Sequence, residues 1–144
     1  MPEPMTPNEI IDAMLKGDAF SQWLGVEVLA VEAGYCKIRM RVRPEMVNGF
    51  GILHGGVSFS FADSAFAFAS NSRGRHAVSV DTSISHLAAV QVGDTLIAEA
   101  EELDLQHKLA HYQVTVYRNQ DDKMALFKGM VYRKREEWSH EVGA

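Results

Sequence analysis

Residues 57–72 read VSFSFADSAFAFASNS and decide the fold. The stretch has good helical length, holds four of the chain's seven phenylalanines and carries a single charge, at Asp63. A helix that is apolar on nearly all sides is normally enclosed by protein. The stretch is too short, and with its five serines too polar, to cross a bilayer. We therefore expect a central helix here, with the rest of the chain folded around it.

The segments on either side of this helix carry strand patterns. Two strands are predicted before it, at 26–33 and 35–43, and four after it, at 76–87, 95–105, 109–118 and 124–133. Strands interrupted by a single long helix do not make a doubly wound sheet, which needs a crossover helix after most strands. The order favours an α+β fold in which an antiparallel sheet of about five to six strands wraps around one long helix.

The two ends of the chain have patterns of their own. The sequence from Thr6 to Glu9 is a capping box with proline at the first helical position. It predicts a short helix over 7–16, and the N-terminal helical segment 1–19 is expected to pack on the domain. The charged residues 134–144 are predicted to be a frayed tail despite Trp138.

Length and composition limit the class of protein. The 144 residues fit one domain, and 47% hydrophobic with 23% charged residues lies near the globular average. A net charge of −5 opposes nucleic-acid binding, because a duplex binder needs a basic surface. The lone Cys36 excludes an internal disulfide, and no Cys/His pair has zinc-ligand spacing, so no metal is expected. No secretory or membrane-spanning pattern is visible, which makes the cytoplasm the expected compartment.

The candidate site combines Asp63 with a glycine-rich loop. Asn48, His54, Gly55 and Gly56 lead into the helix N-terminus, where free backbone N–H groups and the helix dipole can polarise an oxygen. Such a turn can form an oxyanion hole, and glycine lets a ligand carbonyl approach the main chain. Asp63 is the candidate acid or base, because a carboxylate among apolar neighbours is costly unless something contacts it. A purely structural aspartate is the alternative.

The spacing of Gly56 and Asp63 implies that the two groups act from different chains. Seven residues at about 1.5 Å each place the Asp63 Cα roughly 10 Å along the axis from the helix start. A reacting carbonyl must lie about 3 Å from both the base and the oxyanion donors. One helix cannot supply both, whereas a twofold dimer provides two equivalent sites.

Several residues are weaker candidates. Ser79 could orient a water, although a polar strand face explains it as well, and His54 could donate to a carbonyl or only hold its loop. The scattered histidines at strand ends and turns are expected to be ordinary: His76, His86, His107, His111 and His140. Three phenylalanines could line a ligand pocket or pack in the core, and two arginines could meet the phosphates of a long ligand or only water. The candidate substrate contacts are Gly56, Phe50, Phe59, Phe66, Arg73 and Arg75.

Two stretches carry a family resemblance. The segment 48–56, with its His-Gly-Gly, and FADSAFA at 61–67 resemble the hotdog-fold acyl-CoA thioesterases, particularly the PaaI-type branch of phenylacetate degradation. The likeness spans 20–133. It implies a curved antiparallel sheet around the helix, and a homodimer or homotetramer with sites at the subunit interface. It also implies hydrolysis of acyl-CoA without a metal or redox cofactor. CoA is counted as part of the substrate.

The resemblance also implies roles for individual residues. Asp63 would activate water or be the nucleophile, the Gly55 amide would bind the thioester oxygen, and Asn48 and His54 would support the loop. Ser79 matches a position where some relatives use a hydroxyl to place the attacking water. The chain departs from the family at 88–90, which read AAV, where relatives commonly carry proline in a loop near the CoA channel.

The expected function is therefore that of a cytoplasmic acyl-CoA thioesterase for aryl-acetyl or medium-sized acyl groups. One alternative is an acyl-thioester dehydratase or hydratase, which uses a buried-helix carboxylate and a nearby histidine on the same architecture. Another is a non-catalytic acyl-CoA binding module. Thiol release separates hydrolysis from dehydration, which leaves the thioester intact, and the binding module predicts tight saturable binding without turnover.

Overall fold

The computed structural model describes residues 3–140, which form α-helices packed on a six-stranded antiparallel sheet. The strands follow one another across the sheet in the order β1-β2-β4-β5-β6-β3, so β1 and β3 are its edges. Helix α3 packs against β2 to β6, which confirms the predicted α+β arrangement around one long helix. The elements are α1 (Pro7–Gly17), α2 (Ala19–Leu24), β1 (Glu27–Glu32), β2 (Tyr35–Arg41), a 3₁₀ turn (Pro44–Met46), α3 (Gly55–Asn71), β3 (Arg75–His86), β4 (Thr95–Leu105), β5 (Leu109–Arg118) and β6 (Asp122–Glu137).

The phenylalanines of α3 build the core between helix and sheet. Phe61, Phe66 and Phe68 are fully buried. The Phe66 ring lies 5.4 Å from that of Phe127, and Gly129 on β6 makes room for it, because a Cβ there would be 2.6 Å from the Phe66 ring. Burying each such side chain contributes about 1.5–3 kcal/mol, so the pattern of the helix is explained largely by packing.

One stripe of α3 is left uncovered by its own chain. Gly56, Ser60, Asp63 and Ala67 recur at spacings of three and four, which places them on one helix face, and all four keep solvent contact. Asp63 therefore lies on the one face of α3 where a charge is not fully desolvated.

Helix α3 begins at Gly55, two residues before the predicted start, so the paired glycines form its first turn. The reason is a side-chain cap that sequence rules do not anticipate. His54 is the N-cap, and its Nδ1 accepts a hydrogen bond from the N–H of Gly56 at 2.9 Å. This bond satisfies a first-turn donor and offsets the poor helix propensity of glycine.

The N-terminal segment packs on the domain as predicted. The capping box is present, with the N–H of Glu9 donating to Thr6 Oγ1 at 3.2 Å and the N–H of Thr6 donating to Glu9 Oε1 at 3.0 Å. Ile10 and Ile11 are buried and attach α1 to the body of the protein.

The prediction of a frayed tail from residue 134 onward is wrong for residues 134–140. Strand β6 runs to Glu137, and the Trp138 ring packs on the His76 ring at a tilt of 32°, with 4.3 Å between centroids. The Trp138 Nε1–H also donates to Asn71 Oδ1 at 3.0 Å. One aromatic side chain with a polar edge thus holds a charged segment that has no apolar pattern of its own. The rest of the predicted tail, 141–144, lies outside the described residues.

Strand β3 is a long edge strand with exposed apolar side chains. Its 12 residues pair with β6 on one side only. Val78 and Val80 are 43% and 53% exposed, and Ser79 between them is exposed as well. A long edge with apolar side chains is a template for pairing with another strand.

Candidate active site

The start of α3 presents one unpaired amide, that of Gly55. The three amides that follow it are satisfied by His54. Gly56 donates to the imidazole, and the N–H groups of Val57 and Ser58 donate to the His54 carbonyl at 2.9 and 3.4 Å. The Gly55 N–H has no acceptor among residues 3–140. With the positive end of the helix dipole behind it, this amide can bind a developing oxyanion.

Asn48 organises the loop that leads to this turn. Its Oδ1 accepts hydrogen bonds from the N–H groups of Phe50 at 2.9 Å and Ile52 at 3.4 Å. The Asn48 side-chain N–H groups have no acceptor within the described part of the chain, so they are able to donate to a ligand. Phe50, at the tip of the loop, is 90% exposed.

Asp63 is a half-buried carboxylate without a hydrogen-bond partner among the described residues. Burial raises its pKa, and the negative charge of Asp18, the N-cap of α2, raises it further. A raised pKa makes the carboxylate a stronger base and brings it closer to the pH at which a general base works best. The arrangement leaves Asp63 both accessible and basic.

The Gly55 amide and the Asp63 carboxylate do not meet within one chain. Eight residues of continuous helix separate them, a rise of about 12 Å. No carbonyl is able to lie within bonding distance of both. Within a single copy the two groups therefore cannot act on the same carbonyl.

A polar pair that the sequence did not single out lies against the glycine turn. The Nε2 of His86 is 2.7 Å from Ser58 Oγ, and that hydroxyl donates to the carbonyl of Gly55 at 3.0 Å. A Cβ built on Gly55 would lie 3.3 Å from His86 Cε1, so the imidazole packs on the glycine. One feature of the sequence could have revealed this pair. A strand that follows a helix runs back along it, so the end of β3 lies near the start of α3.

A cavity of about 390 Å³ lies beside the turn. Gly55, Ser58 and His86 form its polar side, and the loop 87–90 forms much of its apolar side. The AAV segment at 88–90 therefore borders the same cavity as the Gly55 amide. The Val90 carbonyl accepts a hydrogen bond from the N–H of Leu53 at 2.8 Å, which ties this loop to the loop before α3.

The two candidate arginines lie at the far end of α3. The 17 residues of the helix put them about 25 Å from the Gly55 amide of the same chain. Arg73 donates twice to the Glu102 carboxylate, at 2.9 Å each. Arg75 donates to three backbone carbonyls, between 2.7 and 2.9 Å. Both guanidinium groups are thus engaged within the chain.

The remaining candidates differ in their access to a ligand. Phe66 is enclosed by the core, so a ligand reaches it only if the core moves. Phe59 is half-buried and packs edge-on against Phe127 at 5.5 Å, which leaves part of its ring accessible. Ser79 is exposed on the edge strand.

Residues 3–140 hold no group of three or more His, Cys, Asp or Glu side chains placed to bind a metal ion. Within the same residues, no helix combines the length and apolar character needed to cross a membrane.

Residues 50–125, from the glycine loop through α3 to the start of β6, match the model of the thioesterase superfamily. This is more than half of the chain. The chain belongs to the thioesterase superfamily. This thioesterase is 36% identical over 121 residues to the acyl-coenzyme A thioesterase PaaI of Escherichia coli K12, covering 84% of this chain and 86% of that protein.

Solved structures confirm that the thioesterase has the hotdog fold and is of the PaaI type. The structure of E. coli PaaI, from the phenylacetic acid degradation operon, superposes with a TM-score of 0.89 at 33% identity, covering 91% of this chain and 95% of that one. A Streptococcus mutans protein solved with acetyl CoA bound superposes with a TM-score of 0.76 over 78% of this chain and 91% of that one. At 23% identity, that second likeness shows the fold alone.

Proposed function

We propose that this thioesterase hydrolyses acyl-CoA thioesters to the free acid and CoA. The observation that carries the proposal is the pair of unsatisfied groups on α3, the Gly55 amide and the basic carboxylate of Asp63. Asp63 activates a water or itself attacks the carbonyl carbon, and the oxyanion that develops is held by the Gly55 N–H. The CoA thiolate is a good leaving group, so no strong acid is needed. The name of the E. coli relative supports this substrate class.

The proposed active site forms between two copies of the chain. Three features support this arrangement: the separation of about 12 Å between Gly55 and Asp63, the uncovered stripe of α3 that carries Asp63, and the exposed edge strand β3. In a twofold dimer, the Gly55 turn of one chain meets Asp63 of its partner, and each dimer holds two sites. A homodimer, or a homotetramer made of such dimers, meets this requirement.

The other candidate residues take supporting roles in this proposal. Asn48 and His54 hold the loop and the first turn, and Ser79 on the edge strand orients the attacking water. Phe59 and the exposed Phe50 border an aryl-acetyl or medium-sized acyl group, since both keep accessible aromatic surface.

We further propose that the enzyme uses no metal or redox cofactor and works in the cytoplasm. The free Cys36, buried in the core, is consistent with a reducing compartment. Phosphate binding by Arg73 and Arg75 would require both side chains to leave their present partners.

A thiol reagent that reports free CoA tests the reaction directly. Phenylacetyl-CoA, hexanoyl-CoA and acetyl-CoA form a suitable first panel, and turnover is expected to be fastest with one of the two larger acyl groups. The protein's own thiol does not interfere, because Cys36 is fully buried and burial raises its pKa to about 12. A protein that binds these thioesters and releases no thiol from any of them contradicts the proposal.

The dehydratase alternative is favoured by one observation, the histidine found beside the glycine turn. His86 lies against Gly55, and a carboxylate with a nearby histidine is what that chemistry uses. A 3-hydroxyacyl-CoA substrate distinguishes the two reactions. Dehydration gives an enoyl thioester with new ultraviolet absorbance and no free thiol, whereas hydrolysis gives free thiol alone.

A further inference from the structure

The imidazole of His86 and the hydroxyl of Ser58 have no part in the hydrolysis steps proposed above. Ser58 is 1% exposed, and its hydroxyl carries one proton, which it donates to the Gly55 carbonyl at 3.0 Å. The same oxygen lies 2.7 Å from His86 Nε2, and it accepts there when the Ser58 proton points to the Gly55 carbonyl and the imidazole carries its proton on Nε2. The result is a chain of two hydrogen bonds from the rim of the cavity to the backbone of the glycine turn.

Side-chain hydrogen bonds hold both ends of the Gly55–Gly56 peptide unit. The carbonyl of Gly55 accepts from Ser58, and the N–H of Gly56 in the same peptide unit donates to His54 Nδ1 at 2.9 Å. Neither glycine has a Cβ, so sterics restrict the backbone torsions here less than anywhere else in α3. The two side-chain bonds supply the restriction that a Cβ would otherwise give.

The direction of the catalytic amide depends on those torsions. The Gly55 N–H and the Gly55 carbonyl are attached to the same Cα, so a rotation that moves one peptide unit changes the setting of the other. An oxyanion donor is effective when it is aligned before the reaction, because it then needs no reorganisation as charge develops.

We propose that His86 is a positioning residue, which acts through Ser58 to fix the Gly55–Gly56 peptide unit and so aligns the Gly55 amide toward the thioester oxygen. The proposal rests on the hydrolytic function proposed above. It assigns His86 an indirect role, since the imidazole itself contacts Ser58 and Gly55.

The test uses Ser58→Ala and His86→Ala, each with a matched control. Ser70→Ala is the control for the first, because the Ser70 hydroxyl also donates to the carbonyl three residues earlier on α3, at 3.1 Å, and Ser70 is also buried. His107→Ala, at an exposed position, controls for loss of a histidine. His86→Gln keeps a donor near the position of Nε2 and should restore the bond.

Loss of a complete oxyanion donor lowers kcat about 10²–10³-fold, so misalignment of one that remains should cost less, about tenfold. We expect Ser58→Ala and His86→Ala to lower kcat by about that factor, with KM changed less than about twofold. The double variant should be no slower than Ser58→Ala, since His86 acts through Ser58. His86→Gln and both controls should retain near-wild-type kcat.

Amide hydrogen exchange gives a readout that does not depend on activity. Exchange of the Gly56 N–H should be faster in Ser58→Ala and His86→Ala than in Ser70→Ala, at matched thermal stability. His86 is exposed, so its variant keeps the test decisive if Ser58→Ala fails to fold.

Three outcomes overturn the proposal. The first is that kcat and Gly56 exchange in both variants match the controls. The second is that losses in the double variant multiply, and the third is that KM rises while kcat is unchanged, which would make His86 a substrate contact. Each of these outcomes leaves the hydrolytic function intact. A wild-type protein that releases no thiol would instead refute that function and, with it, the role of His86.

Discussion

Replacing Asp63 by asparagine should abolish most activity and at the same time stabilise the fold. Asparagine keeps the shape of the side chain and is neither a base nor a nucleophile. General acid–base groups contribute about 10²–10⁴ in rate, so kcat should fall at least about a hundredfold. This corresponds to a loss of transition-state stabilisation of about 2.7 kcal/mol or more.

The stability change has the opposite sign because of the protonation of Asp63. Burial first and the charge of Asp18 second raise the pKa of Asp63, so the folded chain binds this proton more tightly than the unfolded chain does. The stabilisation that comes from this tighter proton binding is fully present below the pKa of the group in the unfolded chain. It is lost as the pH rises through the pKa of the group in the folded chain. The charged form is therefore destabilising at neutral pH. Asp63→Asn removes that charge and should raise Tm at pH 7, by an amount that shrinks as the pH falls toward 4.

Thiol release gives kcat and KM, and thermal unfolding at pH 7 and pH 5 gives the stability difference. Asp12→Asn, at an exposed carboxylate on α1, is the matched control and should change neither quantity. Near-normal kcat in Asp63→Asn would refute the assignment of Asp63. A Tm at pH 7 below that of the wild type would refute the electrostatic reasoning.

Three further variants test other parts of the structure. Asp18→Asn keeps an N-cap acceptor and removes the like charge near Asp63, so the acidic limb of the kcat/KM profile should move to lower pH; an unmoved limb would contradict that coupling. Gly129→Ala places a Cβ 2.6 Å from the Phe66 ring and should cost about 1–3 kcal/mol in urea unfolding, and a loss below about 0.5 kcal/mol would argue against the packing. Trp138→Ala should lower the free energy of unfolding by about 1–3 kcal/mol, with Trp138→Phe between it and the wild type; no change would mean that the tail is not anchored.

The sheet could be predicted where alternation and turns coincide. Strands β4 and β5 match their predicted bounds, 95–105 and 109–118, because apolar and polar residues alternate between recognisable turns. Strand β6 continues four residues past its predicted end at 133. Its extension carries charged residues without alternation, and it is held by Trp138 against a distant part of the chain, which no local pattern records.

The site could be predicted only where its signals are local. A lone charge in an apolar helix and a glycine pair before it are visible in the sequence, and both led to the groups on α3. Ser58 and His86 are 28 residues apart. They meet because β3 runs back along α3, starting beside Asn71, whose Oδ1 accepts from the Ala77 N–H at 3.0 Å, and ending beside Ser58. Such pairs become visible only when the chain is folded.

Mixing two inactive chains tests most directly whether Gly55 and Asp63 act from different subunits. Asp63→Ala removes the carboxylate. Gly55→Pro removes the amide proton at the first helical position, where proline is favoured, and the extended backbone of His54 suits a following proline. The imidazole of His86, 3.3 Å from the position of the added Cβ, is exposed and must shift by a few tenths of an ångström. Neither variant alone should turn over acyl-CoA at more than about a hundredth of the wild-type rate.

Unfolding the two variants together and refolding them at equal concentration should restore activity if sites are shared. Half of the dimers then carry one chain of each kind, and each of these has one complete site out of two, so about a quarter of wild-type activity should return. Restoration near that fraction is the result that the shared site predicts. Mixed dimers that form and stay inactive would contradict it, because a site built within one chain is not repaired by mixing.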